Sequence, residues 1–169
     1  TWVEVPALAN TLCGLSRPIH FRGVCTVVLK LFMLAQPSLA VFGEKDWQQL
    51  AIIKKMVSDL NVPVEVVGRP IVREADGLAL SSRNVYLTPE ERAQAPQIRK
   101  SLEMAAGLAA GGERDAARII EAVRGYLAEH LPTGEEDYIS IVDPAVLTKV
   151  DRIKDMALCA LAIRLGKAR

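Results

Sequence analysis

The sequence predicts an α/β chain: the second half of a doubly wound parallel sheet, followed by a small α+β domain. Two short valine-rich runs, Ser38 to Phe42 and Val62 to Val67, have the composition of buried parallel strands. Between them Leu50, Ile53, Val57 and Leu60 recur at helical spacing, so Asp46 to Leu60 reads as an amphipathic crossover helix in a β-α-β unit. After Pro70 that pattern gives way to capped helices and then to two β-compatible runs, which divides the chain into residues 1–70 and 71–169.

Up to Pro70 the expected order is strand, helix, helix, strand, helix, strand. Gly23 to Phe42 is very apolar, yet Lys30, Gln36 and Pro37 interrupt it and split it into a buried helix and a strand, not a membrane span. In the second part Thr88-Pro89-Glu90-Glu91 opens a helix. Thr88 is the N-cap, Pro89 takes the first helical position, and Glu91 reaches back in a capping box. Pro96 lacks an amide donor and crowds the preceding turn, so it should bend or restart that helix, and Gly111-Gly112 should stop it. A further helix from Glu113 to about Leu131 carries Ala116, Ile119, Ile120, Val123 and Leu127 on one face. Asp137 to Val142 and Met156 to Leu165 read as strands.

A chain of 169 residues can bury one good core, or two small domains. The formal charge of +1 gives no polybasic field, which argues against nucleic acid and acidic membrane as partners and makes any anion site a local feature. Cys13, Cys25 and Cys159 are odd in number, far apart and set among apolar residues, as reduced thiols of a cytoplasmic protein are. The first residue is Thr1 rather than Met, so the chain reads as a piece of a longer protein.

Two short stretches carry chemistry. In Phe42-Gly43-Glu44-Lys45-Asp46-Trp47-Gln48-Gln49 a glycine, a lysine and a helix start follow an apolar strand, where ligands of doubly wound sheets bind. Gly43 lets a nucleotide approach the backbone, Lys45 offers an ammonium to phosphate oxygens, and the helix amino terminus favours an anion. The plainer alternative is that Asp46 and Gln49 form a capping pair and Lys45 is a solvated loop charge. In Asp76-Gly77-Leu78-Ala79-Leu80-Ser81-Ser82-Arg83-Asn84, two hydroxyls and a guanidinium follow a glycine at the junction of the two parts, a common place for small ligands and mobile loops. Here the alternative is a polar turn with Arg83 paired to a nearby acid. His130 closes a helix and serves its dipole or solvent, and His20 starts one. No Ser/His/Asp arrangement and no metal-ligand spacing stands out.

Three ordered segments resemble one family. Arg17 to Val24 (Arg-Pro-Ile-His-Phe-Arg-Gly-Val), Phe42 to Leu50 and Asp76 to Asn84 are similar, in order and separation, to segments of the pantoate–β-alanine ligases, and the likeness continues through Tyr86-Leu87 to Arg164-Leu165-Gly166. The resemblance implies a Rossmann-like nucleotide-binding domain with a lid domain. It also implies an AMP-forming ligase of pantoate and β-alanine that uses ATP with Mg²⁺ and assembles as a homodimer. By that likeness Gly43, Glu44, Lys45 and Asp46 contact ATP, Gln49 holds pantoate, and Val72 lies on the adenine side. Leu80, Ser81, Ser82 and Arg83 close on the phosphates, while Val27 and Val28 face the pantoate methyls. Lys45, Ser81, Ser82 and Arg83 would then act catalytically, by stabilising charge on the departing pyrophosphate.

One feature of the family is missing. Its members begin with a strand and a Pro-Thr-Met-Gly-x-Leu-His-x-Gly-His segment whose histidines face the triphosphate, whereas these 169 residues hold only His20 and His130. The chain therefore resembles the carboxy-terminal part of such an enzyme, inactive alone, with a non-catalytic nucleotide-binding or dimerisation module as the alternative.

Overall fold

The computed structural model describes residues 1–168. They form two compact units, Thr1–Ile71 with Ala145–Leu147, and Val72–Pro144 with the residues from Thr148 onward. The first unit opens on two helical turns, α1 (Pro6–Ala9) and α2 (Cys13–Ser16), where the sequence pattern called for a strand. A strand forms only where a neighbour accepts its ladder bonds, and the Val3 amide instead donates to Thr26 Oγ1 at 2.9 Å. Helix α3 (His20–Ala35) starts at His20 as expected. It closes on Gln36 in the left-handed region, φ 48°, whose amide donates to Phe32 O at 2.8 Å just ahead of Pro37.

Strand β1 (Leu39–Gly43), a 3₁₀ turn over Glu44–Asp46, helix α4 (Trp47–Asp59) and strand β2 (Glu65–Arg69) complete the expected β-α-β unit. The strands run parallel, from Leu39 opposite Glu65 to Gly43 opposite Arg69. Three details differ from the pattern in sequence. First, β2 starts later than Val62. Pro63 has no amide to give to a ladder, Val62 and Val64 are buried before the strand begins, and pairing opens with the Glu65 amide on Ser38 O at 3.0 Å. Second, the buried face of α4 is Gln48, Leu50, Ile52, Ile53 and Met56, while Leu60, expected on it, is half exposed because the helix has already ended. Third, α3 and β1 are not buried all round. Phe21, Cys25 and Phe32 line one face of α3, but Val27 and Leu31 are 52% and 56% exposed, and Leu39 and Val41 of β1 are 47% and 57% exposed. A two-stranded sheet packs one face, and no second layer covers the other among the described residues.

The second unit begins with a tight loop and a 3₁₀ turn over Ser82–Tyr86, then α5 (Pro89–Gln94), α6 (Gln97–Ala110) and α7 (Ala116–His130). The Thr88 capping box forms as its sequence demands: Thr88 Oγ1 accepts from the Glu91 amide at 3.3 Å, and Glu91 Oε2 from the Thr88 amide at 2.8 Å. Pro96 stands between α5 and α6, and Gly111 and Gly112 end α6. Helix α7 starts three positions later than Glu113, because Asp115 is its N-cap and accepts from the amides of Ala117 and Arg118 at 2.9 and 3.2 Å. Strands β3 (Gly134–Val142) and β4 (Leu158–Leu165) pair antiparallel with an irregularity between Glu136 and Tyr138. β3 reaches back to Gly134 because its charged start is matched from outside, by Arg164 on Glu135 and by Arg124 on Glu136. Ile119, Val123 and Leu127 of α7 pack with Ile139, Ile141, Ile163 and Leu165 of the strands, and Leu78 and Ala95 join the same core.

Among the described residues no helix is long and apolar enough to cross a membrane. Burial raises the pKa of Cys25, and that of Cys159 to about 11, so neither thiol is a ready nucleophile.

Candidate functional site

The lysine turn is built at the carboxyl end of β1. Gly43 has ordinary extended backbone (φ −75°, ψ 136°), and a Cβ there would meet nothing within 4 Å, so the glycine leaves open space rather than relieving strain. Glu44 turns back over the sheet. A Cβ on Gly68 of β2 would lie 3.1 Å from Glu44 Oε1 and 2.8 Å from Leu50 Cδ2, so Gly68 is what lets both side chains lie on the strand. Lys45 Nζ lies 3.8 Å from Asp46 Oδ1, both side chains reaching solvent. Asp46 occupies the N-cap position of α4, yet its side chain makes no capping bond. The Asp46 and Gln49 capping pair is therefore not formed.

Two adjacent glutamines separate in role. Gln48 is buried: its amide nitrogen donates to Leu8 O at 2.9 Å and Thr11 O at 2.7 Å, and its Oε1 accepts from the Cys13 amide at 3.1 Å. It fastens the segment from α1 to α2 onto α4. Gln49, the candidate for substrate, is only half buried on the first turn. Sequence reasoning passed over Gln48, although it lies four residues before Ile52 and eight before Met56, a polar residue on the apolar stripe.

The serine-arginine loop is built in the second unit. Arg73 and Ala79 form an antiparallel bridge and the Leu80 amide donates to Val72 O at 2.9 Å, which sets Val72 and Leu80 side by side, both exposed. Gly77 (φ 91°) makes the turn, and Leu78 beyond it is buried in the core. Ser81 Oγ accepts from the Arg83 amide at 3.2 Å and so starts the 3₁₀ turn, while its hydroxyl proton still has a bond to give. Ser82 and Arg83 are exposed. Arg92 of α5 bonds the loop's two acids, Glu74 at 2.8 Å and Asp76 at 2.6 Å. These hydrogen bonds raise the pKa of Arg92, and that from Arg92 holds Asp76 below the usual carboxylate range, helped by the Leu78 amide. No local signal marked Glu74 or Arg92, since each reads in sequence as a surface charge.

The other sequence candidates are plainly placed. Val27 is exposed on α3 and Val28 half buried. The His20 ring is 4.9 Å from that of Phe21, and the His130 ring meets Tyr126 edge-on at 4.3 Å at the end of α7. An open cleft of about 770 Å³ at the turn from α6 to α7, lined by Met104, Leu108, Glu113 and Arg118 among others, includes none of the candidate residues. Gly43 to Gln49 thus belong to the first unit and Val72 to Arg83 to the second. Ammonium, guanidinium, hydroxyl donors and an uncapped helix terminus are the groups that hold phosphate oxygens.

The pantoate-beta-alanine ligase family profile matches residues 1–169. The chain belongs to the pantoate–β-alanine ligase family. It is 68% identical over its full length to a pantothenate synthetase of Nitratidesulfovibrio vulgaris (strain Miyazaki F) and 52% identical to one of Heliobacterium modesticaldum, covering 60% of each. The crystal structure of pantothenate synthetase from Thermus thermophilus superposes with a TM-score of 0.94 at 45% identity, over 99% of this chain and 60% of that one. A pantoate–β-alanine ligase from Francisella tularensis, crystallised with β-γ ATP and β-alanine, gives 0.70 at 28% identity over 99% and 55%. This pantoate–β-alanine ligase family chain therefore spans about 60% of the length of the curated relatives it matches.

Proposed function

We propose that this chain carries part of the active site of an ATP-dependent ligase that joins pantoate to β-alanine. A pantoate carboxylate oxygen attacks the α-phosphorus of ATP, and pyrophosphate leaves with the electrons of the broken P–O bond. The amine of β-alanine then attacks the acyl carbon of pantoyl adenylate, a C–N bond forms, AMP departs, and the amine loses a proton to solvent. Charge builds on the pyrophosphate in the first step. Lys45, Ser81, Ser82 and Arg83 act there as donors to phosphate oxygens, and Mg²⁺ enters as part of the nucleotide substrate. Gly43, Glu44 and Asp46 shape the ATP segment, Val72 and Leu80 offer apolar contact to the nucleotide, and Gln49 holds pantoate against Val27 and Val28.

The observation that carries this reading is family membership over every residue of the chain, with the lysine turn at the carboxyl ends of two parallel strands. The Francisella relative, whose crystals contain a form of ATP and β-alanine, supports the same substrates. The intact protein acts as a cytoplasmic homodimer, where reduced thiols are the normal state.

Site variants of the intact protein test the reading. Lys45→Ala or Arg83→Ala should each lower pantoate-dependent pyrophosphate release by about 10²–10³, the usual loss of one well-aimed donor. Gln49→Ala should raise the KM for pantoate with ATP binding nearly unchanged. A Lys45→Ala rate within about twofold of wild type returns Lys45 to a solvated charge and defeats its role.

A further inference from the structure

Glu74 bonds in two directions. Its Oε2 accepts from Arg92 Nη2 at 2.8 Å, and its Oε1 accepts from Asn84 Nδ2, also at 2.8 Å. The Asn84 amide donates in addition to Ala79 O at 3.1 Å, and the other terminal nitrogen of Arg92 donates to Asp76 Oδ2 at 2.6 Å. Arg92 belongs to α5, which the Thr88 capping box and buried Ala95 fix in place. Asn84 directly follows Ser82 and Arg83 in the 3₁₀ turn. One carboxylate therefore ties a helix that is held by the core to a turn that is not.

Stability alone is a poor account of that arrangement. The side chains of Glu74 and Arg92 are about one-third exposed, where ion pairs are well screened and add little. Order is another matter. Leu78 is buried and Leu87 half buried, but between those anchors Leu80, Ser82, Arg83, Val85 and Tyr86 are all exposed. A stretch with so few core contacts opens easily unless polar bonds hold it, and a phosphate-gripping turn must keep its donors within a fraction of an ångström.

We propose that Glu74 is a positioning residue: by joining Arg92 to Asn84 it holds the Ser81–Arg83 turn in the shape that offers its hydroxyls and guanidinium to the polyphosphate. This rests on the reading of that turn as the triphosphate grip. It adds to it a carboxylate that never touches the anion, which a site for negative charge would otherwise exclude.

Glu74→Ala, Glu74→Gln and Asn84→Ala in the intact protein test it, by amide hydrogen exchange over residues 79–84 and by ligase kinetics with ATP and pantoate varied separately. In Glu74→Ala exchange over 79–84 should quicken by about tenfold or more. Its kcat/KM for ATP should fall by about 10- to 100-fold, with the KM for pantoate unchanged within about twofold. Asn84→Ala should show the same split. Glu74→Gln, which keeps a carbonyl acceptor, should recover part of both losses. Unchanged exchange in Glu74→Ala overturns the proposal, as does faster exchange with unchanged ATP kinetics. In the second case a large loss in Arg83→Ala keeps the grip while Glu74 becomes merely structural. Full activity in Arg83→Ala defeats the grip itself and the proposal with it. If Glu74→Ala does not fold, Asn84→Ala decides by the same two measurements.

Discussion

Gln48 and Gln49 show how one residue of displacement on a helix changes what a side chain does. Gln48 faces the core and closes three backbone bonds, so Gln48→Ala leaves the carbonyls of Leu8 and Thr11 and the amide of Cys13 to find other partners. A loss of about 1–3 kcal/mol is expected, read from urea unfolding against wild type. Gly68 answers to packing in a different way. Its replacement by alanine drives a methyl into Leu50 and the Glu44 carboxylate, which should cost about 1–3 kcal/mol and shift the lysine turn, visible in the amide spectra of residues 44–47. Neither residue announces itself by type. The place of Gln48 on the apolar stripe marks it as facing the core but names none of its partners, and the need for glycine at 68 lies in neighbours eighteen and twenty-four positions away, Leu50 and Glu44.

At the scale of elements, what depends on adjacent residues could be read and what depends on distant ones could not. The capping box at Thr88, the restart at Pro96 and the stop at Gly111 are local backbone chemistry, and all three form where the sequence puts them. Thr88→Ala should cost about 1 kcal/mol, measured as a lower melting midpoint. The leading strand, the face of α4 and the start of β2 differ because partners, not propensities, decide pairing and burial. The loop from Arg73 to Leu80 has a pH dependence of known sign. Asp76 titrates below its ordinary value, first because Arg92 donates to it and then because the Leu78 amide does. A depressed carboxylate contributes its stability fully above the unfolded value of about 3.9, and loses it as pH falls through the folded value. The Leu78 amide resonance should thus hold constant from pH 8 to 5 and move only in stronger acid. Movement near pH 6 would contradict the bond to Arg92.

For the whole chain, the His-x-Gly-His segment that the family resemblance leads one to expect is not among these 169 residues, which contain only His20 and His130. A polypeptide limited to them should form no AMP in the presence of ATP, pantoate and β-alanine, and measurable pantoate-dependent AMP would refute that.

By itself the sequence determined the β-α-β unit, the capped helices of the second unit and the two motifs with their donors, because periodicity, proline, glycine and capping residues act on their own neighbours in the chain. The tertiary structure alone decided that Asp46 leaves its helix uncapped, that Gln48 is a core clamp, and that Glu74 and Arg92 brace the serine-arginine turn. Those outcomes depend on which distant groups arrive within hydrogen-bond reach, and residue spacing along the chain carries no record of that.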